Sequence, residues 1–283
     1  MEKKYEFTEE TIVVNNHTLH RIRALRDFGI IRAGNLGGFI EKEENLSHNG
    51  NAWVYDNARV YDNARVYDNA WVYDNAWVYD NAKVYGNARV FESASVYRNA
   101  EVYGNAWVFD NARVYDNARV CGSARVFEDA MVYGNAWVFD NAGVCGSAWV
   151  FESARVYGNA WVFENADVYG IAGVSGNAKV FESAKVSGNA KVSGNARVSG
   201  NAIVSGDGCI YNENDILCIS NIGSRNDTTT FFKTKSGDIM VNCGCFFGTI
   251  DEFEKAVDKT HGDSKYAKAY HLAIEMVKVQ ING

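Results

Sequence analysis

The 283-residue chain contains no proline, where average usage of about 5% would supply roughly 14. It also lacks any run of 18 apolar residues and opens on a charged stretch, Met1 to Glu10, so neither a membrane span nor a secretory signal is expected. That places the expected location in the cytoplasm. No two of its six cysteines (Cys121, Cys145, Cys209, Cys218, Cys243, Cys245) form a CxxC pair, which argues against a zinc ribbon or a thioredoxin-type motif and for reduced thiols. A basic excess is missing too. The net charge of −7 divides into −1 for residues 1–50, −3 for 51–206 and −3 for 207–283, so direct nucleic-acid binding is not expected. Hydrophobic residues at 47%, aromatics at 13% and charged residues at 22% exclude disorder, collagen and coiled coil.

What is present is a six-residue repeat that runs from Ala52 to Val204 without an insertion, as in Asn57-Ala-Arg-Val-Tyr-Asp62. Val occupies 26 positions in steps of six, with Ala two residues before each. In an extended Ala-x-Val-aromatic segment, alternation sends Ala and Val to one face and the other two residues to the opposite face. The next two residues form a corner, whose second position is Asn in 19 of 26 repeats; Asn suits it because it tolerates a left-handed backbone. Short strands, two-residue corners and an inward Ala/Val pair in every unit describe a β-solenoid. An aliphatic residue followed four later by a small one, every six, resembles the hexapeptide repeat of left-handed parallel β-helices, in which three units make a triangular coil. On that geometry residues 51–206 form about 8–9 coils, roughly 42 Å of stacked strands at about 4.8 Å each. The absence of proline from residues 52–206 then has a cause, since nearly every N–H there is committed to a neighbouring coil.

Exposed solenoid ends invite polymerisation, so caps are required. Residues 1–50, with strand-like runs Tyr5–Phe7, Thr11–Val14, Thr18–Ile22 and Ile30–Arg32, are assigned to an N-terminal β cap. Asn15 to His20 reads as a hairpin turn entering a strand, not as a metal site. Residues 207–283 are assigned to a small α+β C-terminal domain with strands near 215–220, 229–234 and 238–243. A capping box at Thr249 to Glu252 opens a helix, His261-Gly262 breaks it, and a second helix over 264–280 carries Tyr266, Tyr270, Ile274 and Val277 on one face.

Ala24-Leu-Arg-Asp-Phe-Gly29, Leu36-Gly-Gly-Phe-Ile-Glu41 and Asn45-Leu-Ser47, running into Asn-Ala-x-Val repeats, resemble the YdcK-like β-solenoid proteins of bacteria, prophages and phages over residues 4–206. These carry a transferase label through their hexapeptide repeats. The tail, Ile222 to Phe232 with Cys243-Gly-Cys245 and Thr260-His-Gly-Asp263, is similar to a module on repeat proteins in phage genomes. The resemblance implies the fold and a phage or prophage setting, and no particular activity.

Hexapeptide acyltransferases use a histidine on a coil or inserted loop, and related carbonic anhydrases hold zinc with three. Here the five histidines are His17, His20, His48, His261 and His271, and residues 52–206 contain none. No catalytic, cofactor-binding or metal residue is therefore assigned, and a transferase label rests on fold alone. A candidate pocket lies in the tail, where Arg225, Asp227, Thr228, Cys243, Cys245 and His261 are brought near one another if the strands fold back.

Sorted in steps of 18, the outward positions give three unequal faces. One holds Trp53, Trp71, Phe91, Trp107, Phe109, Phe127, Trp161 and Phe163, whereas the others favour Tyr beside Arg or Lys. Aromatic ladders stabilise strand stacking on any face, so this segregation points to a contact surface, self-association being the commonest use. The adjoining corner carries Asp56, Asp74, Glu92, Asp110, Glu128, Glu164 and Glu182, an acidic ladder whose repulsion needs water, cations or a basic partner. Beyond residue 170 the aromatic column turns to Ser175, Ser187, Ser193, Ser199 and Ser205, and the C-terminal helices are expected to pack over them. The leading expectation is a non-enzymatic scaffold or binding protein that engages itself or a host or phage protein, an inhibitor of host defence being one form. The alternative is a transferase-like enzyme with its site in the C-terminal domain or between subunits.

Overall fold

The structure, a computed structural model, describes residues 2–282. The protein is a stacked parallel β-solenoid with a small C-terminal α+β region, and the chain divides into two compact units, Met1–Ser153 and Ala154–Gly283. Within each unit residue i lies beside residue i+18, as in Arg89↔Trp107 and Arg155↔Gly173. Seventeen two-residue strands from Trp53–Val54 to Trp149–Val150 stack in the first unit, and ten from Arg155–Val156 to Cys209–Ile210 in the second. Ala and Val of every repeat are fully buried.

One hexad shows why the repeats hold no proline. Arg89 donates its N–H to Ala106, Phe91 to Val108 and Ser93 to Asp110 in the next coil, while Ala94 donates to Phe91 at its own corner. The remaining corner N–H, that of Glu92, goes to the Asp74 carboxylate of the preceding coil. Proline at any of these positions would forfeit a bond.

The corner differs from the sequence expectation. The left-handed residue is the first of the pair, Asp, Glu, Gly or, at one corner, Arg98, with φ near +60° at Asp62, Asp80 and Asp110, and the Asn positions of the repeat are not left-handed. Asn is there for its side chain. Asn63, Asn81, Asn99 and Asn117 each donate from Nδ2 to the Oδ1 of the next Asn, at 3.1–3.3 Å, and Asn159 and Asn177 do the same in the second unit. The amide is the one neutral side chain of this size that both donates and accepts along a ladder.

In the first unit β1 (Tyr5–Val14) and β2 (His17–Ala24) form a hairpin through Asn15 and Asn16, both at positive φ, as the sequence indicates. The expected strand at Ile30–Arg32 is only an isolated bridge between Phe28 and Ile31. The strand that continues the cap is β3 (Leu36–Ile40), which pairs antiparallel with β2 and parallel with the first rungs, Phe39↔Arg59. Stacking thus begins before the repeat, with an offset of 20 residues that no 18-residue pattern could reveal. Gly37 and Gly38 make this approach possible: a Cβ on Gly38 would lie 2.7 Å from the Ala58 carbonyl oxygen. Lys4 is buried over Phe28, donates to the Ala52 carbonyl at 2.8 Å, and has its pKa lowered to about 8 by burial and by Arg26.

In the second unit the sheet of β4 (Ile216–Ile222), β5 (Asp227–Lys233), β6 (Ile239–Cys243) and β7 (Phe246–Thr249) is antiparallel throughout. Alternation along β5 divides its work. Thr230 accepts the Ile203 N–H of the last coil at 3.1 Å and Phe232 lies against Gly208, whereas Phe231 faces the helices. Helix α1 (Ile250–His261) opens with the expected capping box, Thr249 and Glu252 bonding reciprocally, and ends at Gly262. Helix α2 (Lys265–Asn282) buries Tyr270, Ile274 and Val277. The expectation that the helices lie on the serine column is not met: they pack with Phe231 and Val241 on the sheet, and β5 covers the last coil. Ser187 is nonetheless buried and Ser193 half-buried.

Candidate functional site

Four groups of side chains merit description. The first is the Trp/Phe face. In the first unit Tyr73, Phe91, Phe109 and Phe127 stack ring on ring at 4.8–4.9 Å. Beside them runs a column in which Trp and Arg alternate, the Arg89 guanidinium 5.7 Å from Trp71 and 5.2 Å from Trp107, and Arg125 5.4 Å from Trp107. Trp71, Trp107, Phe91, Phe109 and Phe127 are half-buried. Trp53, in register with them, is fully buried, with Tyr5 and Phe28 against its ring and Gly37 of β3 close over it. In the second unit Trp161 and Phe163 are half-buried and Phe163 stacks on Phe181 at 5.0 Å.

The acidic ladder has a structural use. Asp74 accepts the N–H of Glu92, Glu92 that of Asp110, Asp110 that of Glu128 and Glu128 that of Gly146. In the second unit Glu182 accepts the N–H of Gly200. A left-handed corner turns its N–H outward, away from the strand ladder, and a carboxylate 18 residues earlier receives it. Asp56 and Glu164 occupy the same left-handed corner. Repulsion remains: the hydrogen-bonded carboxyl of Asp110, with burial and Coulomb repulsion adding, holds Glu92 above the usual carboxylate range. A raised carboxyl pKa means that the folded state binds more protons, so stability rises as pH falls through it and the repulsive cost is present above it. Glu92→Gln keeps the acceptor for the Asp110 N–H and gains a donor for its carboxylate. Its Tm is expected to exceed wild type at pH 7, with the gain shrinking on acidification; thermal denaturation at the two pH values checks this.

The third group is in the C-terminal region, where a cleft of about 380 Å3 gathers Arg225, Asp227, Cys243, Cys245 and His261 over a floor of Phe246, Phe253 and Tyr270. Thr228 is buried beside it and bonds Ser220. The turn between β4 and β5 brings in Arg225, the β6–β7 turn brings in the cysteines, and the end of α1 supplies His261. Cys243 Sγ receives Thr229 Oγ1 at 3.2 Å and lies 3.5 Å from the Tyr270 hydroxyl. Burial, and then the contact with Cys243, push the Tyr270 pKa up. A phenol so raised stays protonated near neutrality, and the His261 ring lies tilted beside Tyr270 with 5.8 Å between centroids. The geometry offers a polar-rimmed apolar cleft better than an activated thiol.

The fourth group was not legible in the sequence. His17, at the start of β2, meets Glu41 just after β3 and Asp62 at a corner of the first coils: Nδ1 lies 2.8 Å from Glu41 Oε1 and Nε2 3.3 Å from Asp62 Oδ1. Glu41 raises the His17 pKa, chiefly by its hydrogen bond. Spacings of 24 and 21 residues give no motif; only the parallel seating of β3 assembles them.

Comparison with protein families matches the YdcK β-solenoid repeat at residues 52–66, 58–74, 64–80, 82–98, 112–128 and 190–206. The fold and these matches define a β-solenoid protein with YdcK-type repeats. No curated protein matches the chain. Among the described residues no helix is long and apolar enough to cross a membrane.

Proposed function

We propose that the protein is a non-enzymatic solenoid scaffold, encoded by a phage or prophage, that associates with further copies of itself through its Trp/Phe face. The alternation of Trp71, Arg89, Trp107 and Arg125 carries this reading. A second copy displaced by one coil would set its guanidinium groups against the outer edges of these indoles and its indoles against these guanidinium groups, so the column is self-complementary. The phage setting rests on the resemblance of the N-terminal motif and tail; a host protein is the other partner the same face would suit. Acrylamide quenching of tryptophan fluorescence tests the reading, with quenching expected to fall as protein concentration rises in wild type and to change little in Trp107→Ala/Phe109→Ala. Equal, concentration-independent quenching in both would oppose it.

The cleft bearing Arg225, Asp227, Cys243 and His261 supports a second reading, a small-molecule site with transferase-like use. Its apolar floor and single arginine suit a small organic acid. Protection of Cys243 and Cys245 from alkylation by such acids would favour it, and unchanged labelling across a set of them would count against it.

A further inference from the structure

We propose that His17 and Asp62, with Glu41 behind the imidazole, form a mononuclear site for a divalent transition-metal ion of the zinc class. The site is independent of the aromatic face and of the C-terminal cleft.

Three observations converge on it. The first is distance. His17 Nε2 and Asp62 Oδ1 are 3.3 Å apart, at the long end of N–H···O distances. Two ligand atoms bound to one zinc at about 2.0–2.1 Å in a tetrahedron are separated by roughly 3.3–3.4 Å. The pair is spaced as an edge of a coordination tetrahedron.

The second is orientation. His17 Nδ1 bonds Glu41 Oε1 at 2.8 Å, the carboxylate–histidine arrangement that fixes the ring and leaves Nε2 to ligate. Glu41 is itself held, because its Oε2 accepts the Asp62 N–H at 2.6 Å. Asp62 is held as well, its Oδ2 accepting the Asp80 N–H at 3.3 Å. Each carboxylate therefore has one oxygen anchored to backbone and one turned to the imidazole. The anchors come from different elements, so the geometry is imposed by the fold and not by a flexible loop.

The third is environment. His17, Glu41 and Asp62 are half-buried, with side chains 26–32% exposed. Tyr61 walls one side, its ring 5.3 Å from His17. Asp62 and Asp80 line an open groove of about 600 Å3, so the Asp62 side of the pair faces solvent that can supply the waters of an ion's shell. The nearby cation, Lys42, donates to Asn63 and does not occupy the position between His17 and Asp62. A nitrogen and hard oxygens select zinc, cobalt or nickel over magnesium, which prefers six oxygens.

Titration calorimetry of the full chain with zinc chloride alone, and with magnesium chloride for comparison, tests the assignment. Wild type is expected to bind one zinc that His17→Ala does not bind, Glu41→Gln to bind it about 10- to 100-fold more weakly, and magnesium to give no such heat. Should His17→Ala fail to fold, cobalt added to wild type provides the second readout, since a tetrahedral nitrogen–oxygen site gives intense visible bands without the thiolate charge-transfer absorption of a cysteine site. Absence of saturable zinc binding by wild type, zinc binding unchanged in a folded His17→Ala, or a cobalt spectrum dominated by thiolate would each overturn the proposal.

Discussion

Val114→Asp is expected to leave no stable solenoid around its coil. Val114 is fully buried between Val96 and Val132 of the neighbouring coils. Losing its burial costs about 1.5–3 kcal/mol, and an unpaired carboxylate in the same place adds several more, against total stabilities of about 5–15 kcal/mol. Because each coil touches only its neighbours, the loss propagates through the stack. Arg113→Asp, one residue earlier and exposed, is expected to stay within about 0.5 kcal/mol of wild type. Circular dichroism melting of the pair checks both, and a folded Val114→Asp with an unchanged melt would contradict the inward register.

Gly38→Val is expected to unseat the N-terminal cap. A Cβ there meets the Ala58 carbonyl oxygen at 2.7 Å and the Tyr55 carbonyl oxygen at 2.8 Å, and backbone cannot step aside without breaking the bonds that join β3 to the first coil. Displacing β3 uncovers Trp53 and a strand edge, an aggregation template. The variant should lose amide protection over residues 36–60 in hydrogen exchange and precipitate at concentrations that wild type tolerates. Leu36→Ala, at a position 55% exposed, should do neither.

These two effects sit on opposite sides of what the sequence made visible. Val114 follows from counting alone, because a strict period of six with Ala and Val two apart admits one inward register. Gly38 does not: the parallel seating of β3 has no Ala-x-Val signature and a 20-residue offset, and its reason lies in the space a glycine leaves. The same element conceals the contacts of His17 with Glu41 and Asp62 and the burial of Trp53, which by periodicity belongs to the outer face. At the corners the sequence located the turn but exchanged the roles of its residues. The left-handed backbone falls on the first residue of each pair, and the asparagine preference arises from ladders between coils that one repeat cannot display. In the C-terminal region the capping box and the buried stripe of α2 were legible, since both are local. The placement of the helices on the sheet was not, because it depends on Phe231 and Phe232 pointing to opposite faces of β5.

The alternating Trp/Arg column and its stacked phenylalanines are the proposed surface for a second copy. Sedimentation equilibrium of wild type over a wide concentration range, beside Trp107→Ala/Phe109→Ala with matched circular dichroism, tests it most directly. Expected is a mass above 31.4 kDa that grows with concentration in wild type, and the monomer mass at every concentration in the variant. A wild-type protein that remains at the monomer mass at the highest concentration, or a folded variant that associates as wild type does, would contradict it.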